Sequence, residues 1–200
     1  MSDLIYEVKK NIPSELCKQI IQRFEEDSNK FTGKTTNGIE KHIKNTTDLY
    51  IKGGKWTDIE EILHKQLNSG LREYLEYVYQ YSDHYIDYFS TDDFELFDTG
   101  YQMQRYLPDG HFDWHTDYDI KETRLIAYIW YLNDVDKKDG GSTEFYNGKK
   151  IQPKEGMLLF FPTTWIHYHR GCELLKGYKY IITGFIKGRY RNQPNNSFKG

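Results

Sequence analysis

The feature that most constrains the fold of this chain is a change of apolar rhythm near residue 99. Beyond it, apolar residues come in short or alternating runs separated by turn residues: Tyr101 to Leu107, Leu125 to Leu132, Met157 to Phe161, Trp165 to His169 and Tyr178 to Ile186. Runs of this length predict strands, and several at regular spacing predict a sandwich or jelly roll. The first half keeps a different period. Pro13 followed by Leu16, Ile20, Ile21 and Phe24 has helical spacing that ends in Glu25, Glu26 and Asp27. A second, longer helix is predicted from Thr57, where Thr57-Asp-Ile-Glu60 has the form of a capping box. Its apolar face continues through Ile59, Ile62, Leu63, Leu67, Leu71, Tyr74, Leu75 and Val78. The expected fold is mainly β with supporting helices.

Two hundred residues with 38% hydrophobic content are enough for one core, and no Pro/Gly/Ser-rich linker divides them. One domain over 1–200 is expected, with N-terminal helical support over about 1–98, a β core over about 99–188 and a flexible tail at 189–200. Residues 31–55 and 82–98 read as irregular surface segments, either solvated or forming a lid over a site. A formal charge of −3 without a basic stripe predicts no nucleic-acid partner. Cys17 and Cys172 are too few for a disulfide scaffold and form no CxxC pair. The N-terminus lacks an apolar signal core and the longest apolar run, Met157 to Phe161, is far below a membrane span. A soluble, cytoplasmic protein with no membrane partner is the expectation.

The chemistry concentrates in two segments. Tyr106-Leu-Pro-Asp-Gly-His-Phe-Asp-Trp-His-Thr-Asp117 holds His115 and Asp117, and His169-Arg-Gly-Cys-Glu-Leu-Leu-Lys-Gly-Tyr-Lys179 opens on a third donor and closes on a cation. On an extended strand residues two apart point the same way, so a His-x-Asp pair can grip one ion. Two imidazoles and one carboxylate on one face of a metal leave the opposite positions open, the arrangement of a mononuclear non-heme Fe(II) site. Spacing alone leaves an ambiguity. His111-Phe-Asp113 is also a His-x-Asp, and on a straight strand all four side chains share a face; His167 likewise shares parity with His169.

A series of motifs runs through this half in fixed order. Arg105-Tyr106 precedes the His-x-Asp region; Arg124 and Tyr131-Leu-Asn-Asp134 follow it. Then come Gly140-Gly-Ser-Thr-Glu-Phe145, Pro153-Lys-Glu-Gly-Met-Leu-Leu-Phe-Phe161 and the His169 to Lys179 block. From about Tyr101 to Ile186 the chain resembles the Fe(II)/2-oxoglutarate-dependent dioxygenases, and most closely their prolyl 4-hydroxylase branch. The resemblance implies a double-stranded β-helix (jelly roll) packed against the N-terminal helices. It selects His115 and Asp117 over the earlier pair, because the family places its ligands several residues after the turn glycine, here Gly110. It also selects His169, which stands ten positions before Lys179.

By the same resemblance His115, Asp117 and His169 would hold Fe(II), and Lys179 would pair with the distal carboxylate of 2-oxoglutarate. Tyr131, Tyr106 and Thr183 are the further expected 2-oxoglutarate contacts, and no other catalytic residue is expected. Dioxygen is the second co-substrate and ascorbate an accompanying reductant. The implied reaction hydroxylates an unactivated C–H bond with release of succinate and carbon dioxide. A prolyl residue in a peptide or protein is the expected target, with a small molecule as the other candidate, and an acidic rim loop would suit a basic or hydroxyl-rich peptide. Pro153-x-x-Gly156 with a downstream histidine also resembles cupins, metal-binding isomerases or non-catalytic binding modules. Those have no need of Lys179.

Overall fold

The computed structural model describes residues 4–80, 94–119 and 122–191. Two antiparallel sheets face each other. The larger runs in the order β1 (Tyr6–Val8), β10 (Leu158–Pro162), β7 (Arg124–Tyr131), β12 (Lys179–Tyr190), β5 (Tyr101–Tyr106), β3 (Thr47–Ile51) and β2 (Phe31–Thr32). A further strand, β4 (Phe94–Asp98), pairs with the far half of β12. The smaller sheet runs β6 (Phe112–His115), β11 (His169–Gly171), β8 (Thr143–Phe145) and β9 (Lys150–Ile151).

The apolar runs read from the sequence are strands covered on both faces. Along β7, Ile126, Tyr128 and Trp130 join a core shared with the helices, whereas Ala127, Ile129 and Tyr131 join a core between the sheets. Alternate residues of β10 divide in the same way, Leu158 and Phe160 outward and Leu159 and Phe161 inward. A strand buried on both faces has no polar face, hence the continuous apolar run. Helices α1 (Ser14–Glu26) and α2 (Thr57–Tyr79) cover the outer face of the large sheet. Gly70 sets how closely α2 approaches: a Cβ there would stand 2.7 Å from Leu158 Cδ2. Arg23 ties the two helices together through two hydrogen bonds to Asp58, of 2.6 and 3.0 Å. Among the described residues no helix is long and apolar enough to cross a membrane.

Several expectations need correction. The Thr57-Asp-Ile-Glu60 capping box does not form: the Thr57 hydroxyl donates to the Gly54 carbonyl, and Glu60 accepts from the Gly53 N–H. A short 3-10 turn over Gly54–Trp56 precedes the helix, so Thr57 is already inside it. The segment Trp165 to His169 is a 3-10 turn over Trp165–His167 with a strand beginning only at His169. Of the acidic stretch 82–98, residues 82–93 lie outside the described residues, and 94–98 form β4. Arg189 and Tyr190, assigned to the tail, complete β12, while 192–200 lie outside the described residues.

Residues 31–55 are the largest departure from the irregular reading, because they contain β2 and β3 and the connection between them spans the two sheets. Lys44 bridges to Phe112, the Asn45 N–H donates to His111, and the Asp113 N–H donates to Ile43. This strap therefore extends the small sheet past β6. It is anchored by a buried ion pair, Lys44 Nζ to Asp48 Oδ2 at 2.8 Å, with Thr46 Oγ1 donating to the other carboxylate oxygen at 2.7 Å. Removing one member of such a pair leaves a charge stranded in low dielectric. Lys44→Met should lower unfolding free energy by about 3–5 kcal/mol, and Lys44→Met with Asp48→Leu should recover part of that loss. Urea denaturation of the three proteins checks this; equal stability of Lys44→Met and wild type would refute it.

Candidate active site

The three metal-ligand candidates meet at one end of the space between the sheets. Antiparallel pairing of β11 with β6 puts His169 directly opposite His115. Donor atoms of His115, Asp117 and His169 all lie within 4.8 Å of one another. His115 Nε2 is 3.7 Å from Asp117 Oδ1 and His169 Nε2 is 3.6 Å from Asp117 Oδ2. These gaps are too long for hydrogen bonds and suit three donors arranged around an ion.

The main chain fixes which ring nitrogen faces inward. His115 Nδ1 lies 2.7 Å from the Asp113 carbonyl, and His169 Nδ1 lies 3.0 Å from the His167 carbonyl. A carbonyl can only accept, so each Nδ1 carries a proton and Nε2 is the ring nitrogen each histidine turns toward Asp117. Burial pushes the His115 imidazole down to about 4, with the neighbouring His169 adding to the effect and Asp117 opposing it. A neutral imidazole is the form that binds a metal.

A bulge resolves the two His-x-Asp candidates. From His169 to Gly171, β11 advances two residues while its partner β6 advances three, from His115 to Phe112. The extra residue breaks the strict alternation of a strand. Phe112 and His115 consequently share the inner side, stacked with ring centroids 3.7 Å apart. His111 and Asp113 line a separate depression, and His111 is bonded to the Asp109 and His42 carbonyls. Asp117 stands two residues beyond the end of β6, in the following loop rather than on the strand. His167 contributes its carbonyl to His169, and its ring meets Thr164 Oγ1 at 3.1 Å.

A cavity of about 580 Å³ opens onto this cluster, and Lys179 reaches into it from β12. The ammonium is 2% exposed, donates to the Gly141 carbonyl at 3.0 Å and sits 3.7 Å from the centroid of the Tyr106 ring. Among the described residues no carboxylate pairs with it. Burial pushes its ionisation down from the ordinary lysine range to about 7. Space is left beside it: a Cβ on Gly171 would lie 3.7 Å from Lys179 Nζ and 3.6 Å from Tyr106 Oη. A buried cation beside open volume is the complement of a carboxylate.

The other expected contacts differ in their surroundings. Tyr106 donates to Gln104 Oε1 at 3.0 Å, while Tyr131 is fully buried with its hydroxyl 2.7 Å from Thr143 Oγ1, a cavity-lining atom. Thr183 lines the cavity, and its hydroxyl is spent on the Tyr128 carbonyl. Trp130 packs in the helix-side core, Trp165 is exposed and Trp114 stacks with Tyr168. The aromatic walls about the cluster come instead from Phe112, Phe145 and Phe161. Missed in the sequence was the polar wall formed by Lys44, Asp48, Gln102 and Gln104. A signal did exist for part of it, since Gln102, Gln104 and Tyr106 alternate on one strand face.

Two imidazoles and a carboxylate thus converge inside one end of a jelly roll of two antiparallel sheets, a group that could hold a single metal ion. Residues 101–187 match the model of the 2OG-Fe(II) oxygenase superfamily. No curated protein matches it by sequence. Among solved structures it is similar to a viral collagen prolyl hydroxylase from Paramecium Bursaria Chlorella virus-1 in its 2OG complex (TM-score 0.64, 20% identity, covering 92% of this chain and 96% of that one). It is also similar to a Pseudomonas putida prolyl-4-hydroxylase (TM-score 0.67, 16% identity, 93% and 94% covered). A Trichoplax adhaerens prolyl hydroxylase, in complex with a hypoxia inducible factor oxygen degradation domain peptide fragment, superposes with TM-score 0.71 at 16% identity, covering 93% and 84%. At these identities the likeness is one of fold, and the antiparallel sheets are those of the double-stranded β-helix in these oxygenases.

The donor set fits a divalent first-row ion, with neutral nitrogens, one anionic oxygen and open volume opposite them. Mn(II) supplied at about a hundred times its dissociation constant should stabilise the wild type by about 2.7 kcal/mol through preferential binding to the folded state. The shift should vanish in Asp117→Ala. Denaturation with and without the ion measures both, and an equal shift in the variant would place the ion elsewhere.

Proposed function

We propose that the protein is an Fe(II)- and 2-oxoglutarate-dependent hydroxylase acting on an unactivated C–H bond of a polypeptide, with a prolyl residue as the target. The observation that carries this reading is the buried Lys179 ammonium, which pairs with no carboxylate among the described residues, in the same cavity as the His115, Asp117 and His169 cluster. In this reading the two Nε2 atoms and the Asp117 carboxylate hold iron, and Lys179 holds the distal carboxylate of the co-substrate. Iron and 2-oxoglutarate, once bound with dioxygen, supply the oxidising power for hydroxylation, with succinate and carbon dioxide as co-products.

The remaining steps belong to the chain. The Nδ1 bonds of His115 and His169 keep both rings from rotating, and the Phe112, Phe145 and Phe161 rings keep bulk water from the ligand nitrogens. Tyr106 lies against the Lys179 ammonium and shapes the carboxylate pocket, with Thr183 further along the same face. Arg124, whose guanidinium stacks 4.2 Å over Phe185, lines the cavity as a fixed cation for peptide carbonyls. The peptide assignment draws on the peptide held by one structural neighbour. A cupin-like isomerase or binding module leaves the burial of Lys179 without a purpose.

Asp117→Ala should abolish iron-dependent succinate formation, and Lys179→Ala should chiefly raise the 2-oxoglutarate requirement. Mass spectrometry of peptide and metabolite pools for a 2-oxoglutarate-dependent gain of one oxygen identifies the substrate; no gain in any pool would overturn the reading. The depressed Lys179 ionisation adds a pH signature. Below about 7 the lysine is already protonated and affinity for 2-oxoglutarate should be flat; above it, binding must take up a proton, so affinity should fall by up to about tenfold per pH unit. Isothermal titration over this range in Mn(II)-loaded protein reads the slope. A flat profile through pH 9 would remove Lys179 from the carboxylate pocket.

A further inference from the structure

The wall of the cavity beside the strap is polar where an apolar surface would be the cheaper way to enclose an aliphatic group. Asp48 is fully buried, Gln104 is 4% exposed, and both face the cavity side of the large sheet with the half-buried Gln102. They form one chain of hydrogen bonds. Tyr106 Oη donates to Gln104 Oε1 at 3.0 Å, Gln104 Nε2 to Gln102 Oε1 at 3.3 Å, and Gln102 Nε2 to Asp48 Oδ2 at 3.2 Å. Lys44 Nζ and Thr46 Oγ1 close the far end on the same carboxylate.

The direction of this chain is set by its end. A carboxylate paired with an ammonium can only accept, so Gln102 must turn its amide nitrogen toward Asp48 and its carbonyl toward Gln104. The Gln102 oxygen is thereby capped. One N–H is committed to Asp48, and the second has no acceptor among the described residues. The anchor cannot readily shift, because the strap is packed onto it: a Cβ on Gly33 would fall 2.1 Å from Thr46 Oγ1 and 3.3 Å from Asp48 Oδ2. Gln102 thus presents a preset donor to the cavity.

Its position points to substrate rather than co-substrate. Tyr106 pairs with Lys179 across β5 and β12, Gln104 with Ile181 and Gln102 with Thr183. Four residues along a strand is about 13 Å, beyond the reach of a five-carbon diacid held at Lys179. On its other side Gln102 pairs with Tyr50, whose ring meets Phe31 at 5.3 Å on the outer lining of the cavity.

We infer that Gln102 is a specificity-determining residue that donates its free amide N–H to a main-chain carbonyl of an extended polypeptide substrate, with Asp48, Lys44 and Gln104 as positioning residues that hold its amide in that orientation. This rests on the hydroxylase reading above. A backbone carbonyl is the acceptor that every extended peptide offers, and a fixed donor loses little entropy in meeting it.

The test uses the full-length protein and the peptide most extensively oxidised by the wild type from a library of proline-centred peptides. Peptide affinity is read by fluorescence anisotropy in protein loaded with Mn(II) and 2-oxoglutarate under exclusion of oxygen. Gln102→Met keeps the side chain's length and removes the donor; Gln102→Ala is the second variant should the first be unstable. The expected result is about a tenfold weaker peptide affinity, a lower ratio of hydroxylated product to succinate in the iron enzyme, and 2-oxoglutarate affinity within about twofold of wild type. Unchanged peptide affinity and product ratio in both variants would overturn the role of Gln102 while leaving the hydroxylase reading standing. A wild type that oxidises no peptide, but does oxidise a free amino acid or metabolite, would overturn the polypeptide reading and this inference with it.

Discussion

One extra residue in β6 is the constraint on which the site depends. Side chains alternate along a strand, so on a regular β6 residues 112 and 115 would face opposite sides. The bulge against β11 places the Phe112 ring and the His115 imidazole on the same side, with His115 still opposite His169. A slip of one residue in this pairing would turn the ligand histidines away from the cavity. The pairing is held from both directions, by β8 beyond β11 and by the Lys44 strap beyond β6. Residues far from the metal-ligand cluster in sequence therefore set its geometry.

Electrostatics divides the cavity in two. At the inner end a lysine is buried against a carbonyl and an aromatic face, a state that is costly without an anion and favourable with one. At the strap, a second buried lysine already has its anion in Asp48. The two ammonium groups line one cavity and have opposite needs, and that difference separates an anion pocket from a neutral, hydrogen-bonding wall. The three-ligand cluster lies within the same cavity. Its single carboxylate stands between two imidazoles, and a bound cation would supply the charge that balances it.

The parts legible in the sequence were those governed by short-range pattern. Alternating and double-faced apolar runs gave β5, β7 and β10 to within a residue at each end and β12 as far as Ile186, four residues short of its end, and helical spacing gave α1 and α2. The convergence of His115, Asp117 and His169 was expected too, but the choice between His111 and His115 rested on likeness to a family, because a bulge leaves no mark in local composition. The strap was illegible for a related reason. Lys44, Asn45, Thr46, Thr47 and Asp48 read as a solvated loop, and only long-range pairing, of the strap with His111, Phe112 and Asp113 and of β3 with β5, buries two of their charges. The capping box at Thr57 failed through competition, since the 3-10 turn before it offered the Thr57 hydroxyl the Gly54 carbonyl first.

The strap and the Lys179 pocket are joined through hydrogen-bond polarity. Asp48 sets the orientation of Gln102, Gln102 sets that of Gln104, and Gln104 then takes the proton of the Tyr106 hydroxyl. With its proton so committed, Tyr106 turns only lone pairs toward a ligand beside Lys179, and these repel a carboxylate unless the hydroxyl rotates. Rotation toward a carboxylate would leave Gln104 Oε1 without its donor in a site almost closed to water. The arrangement therefore leaves Tyr106 as a wall of the pocket, its ring under the Lys179 ammonium and its hydroxyl held by Gln104. The ion pair that fastens the strap thereby fixes a donor and an acceptor at opposite ends of the same glutamine chain.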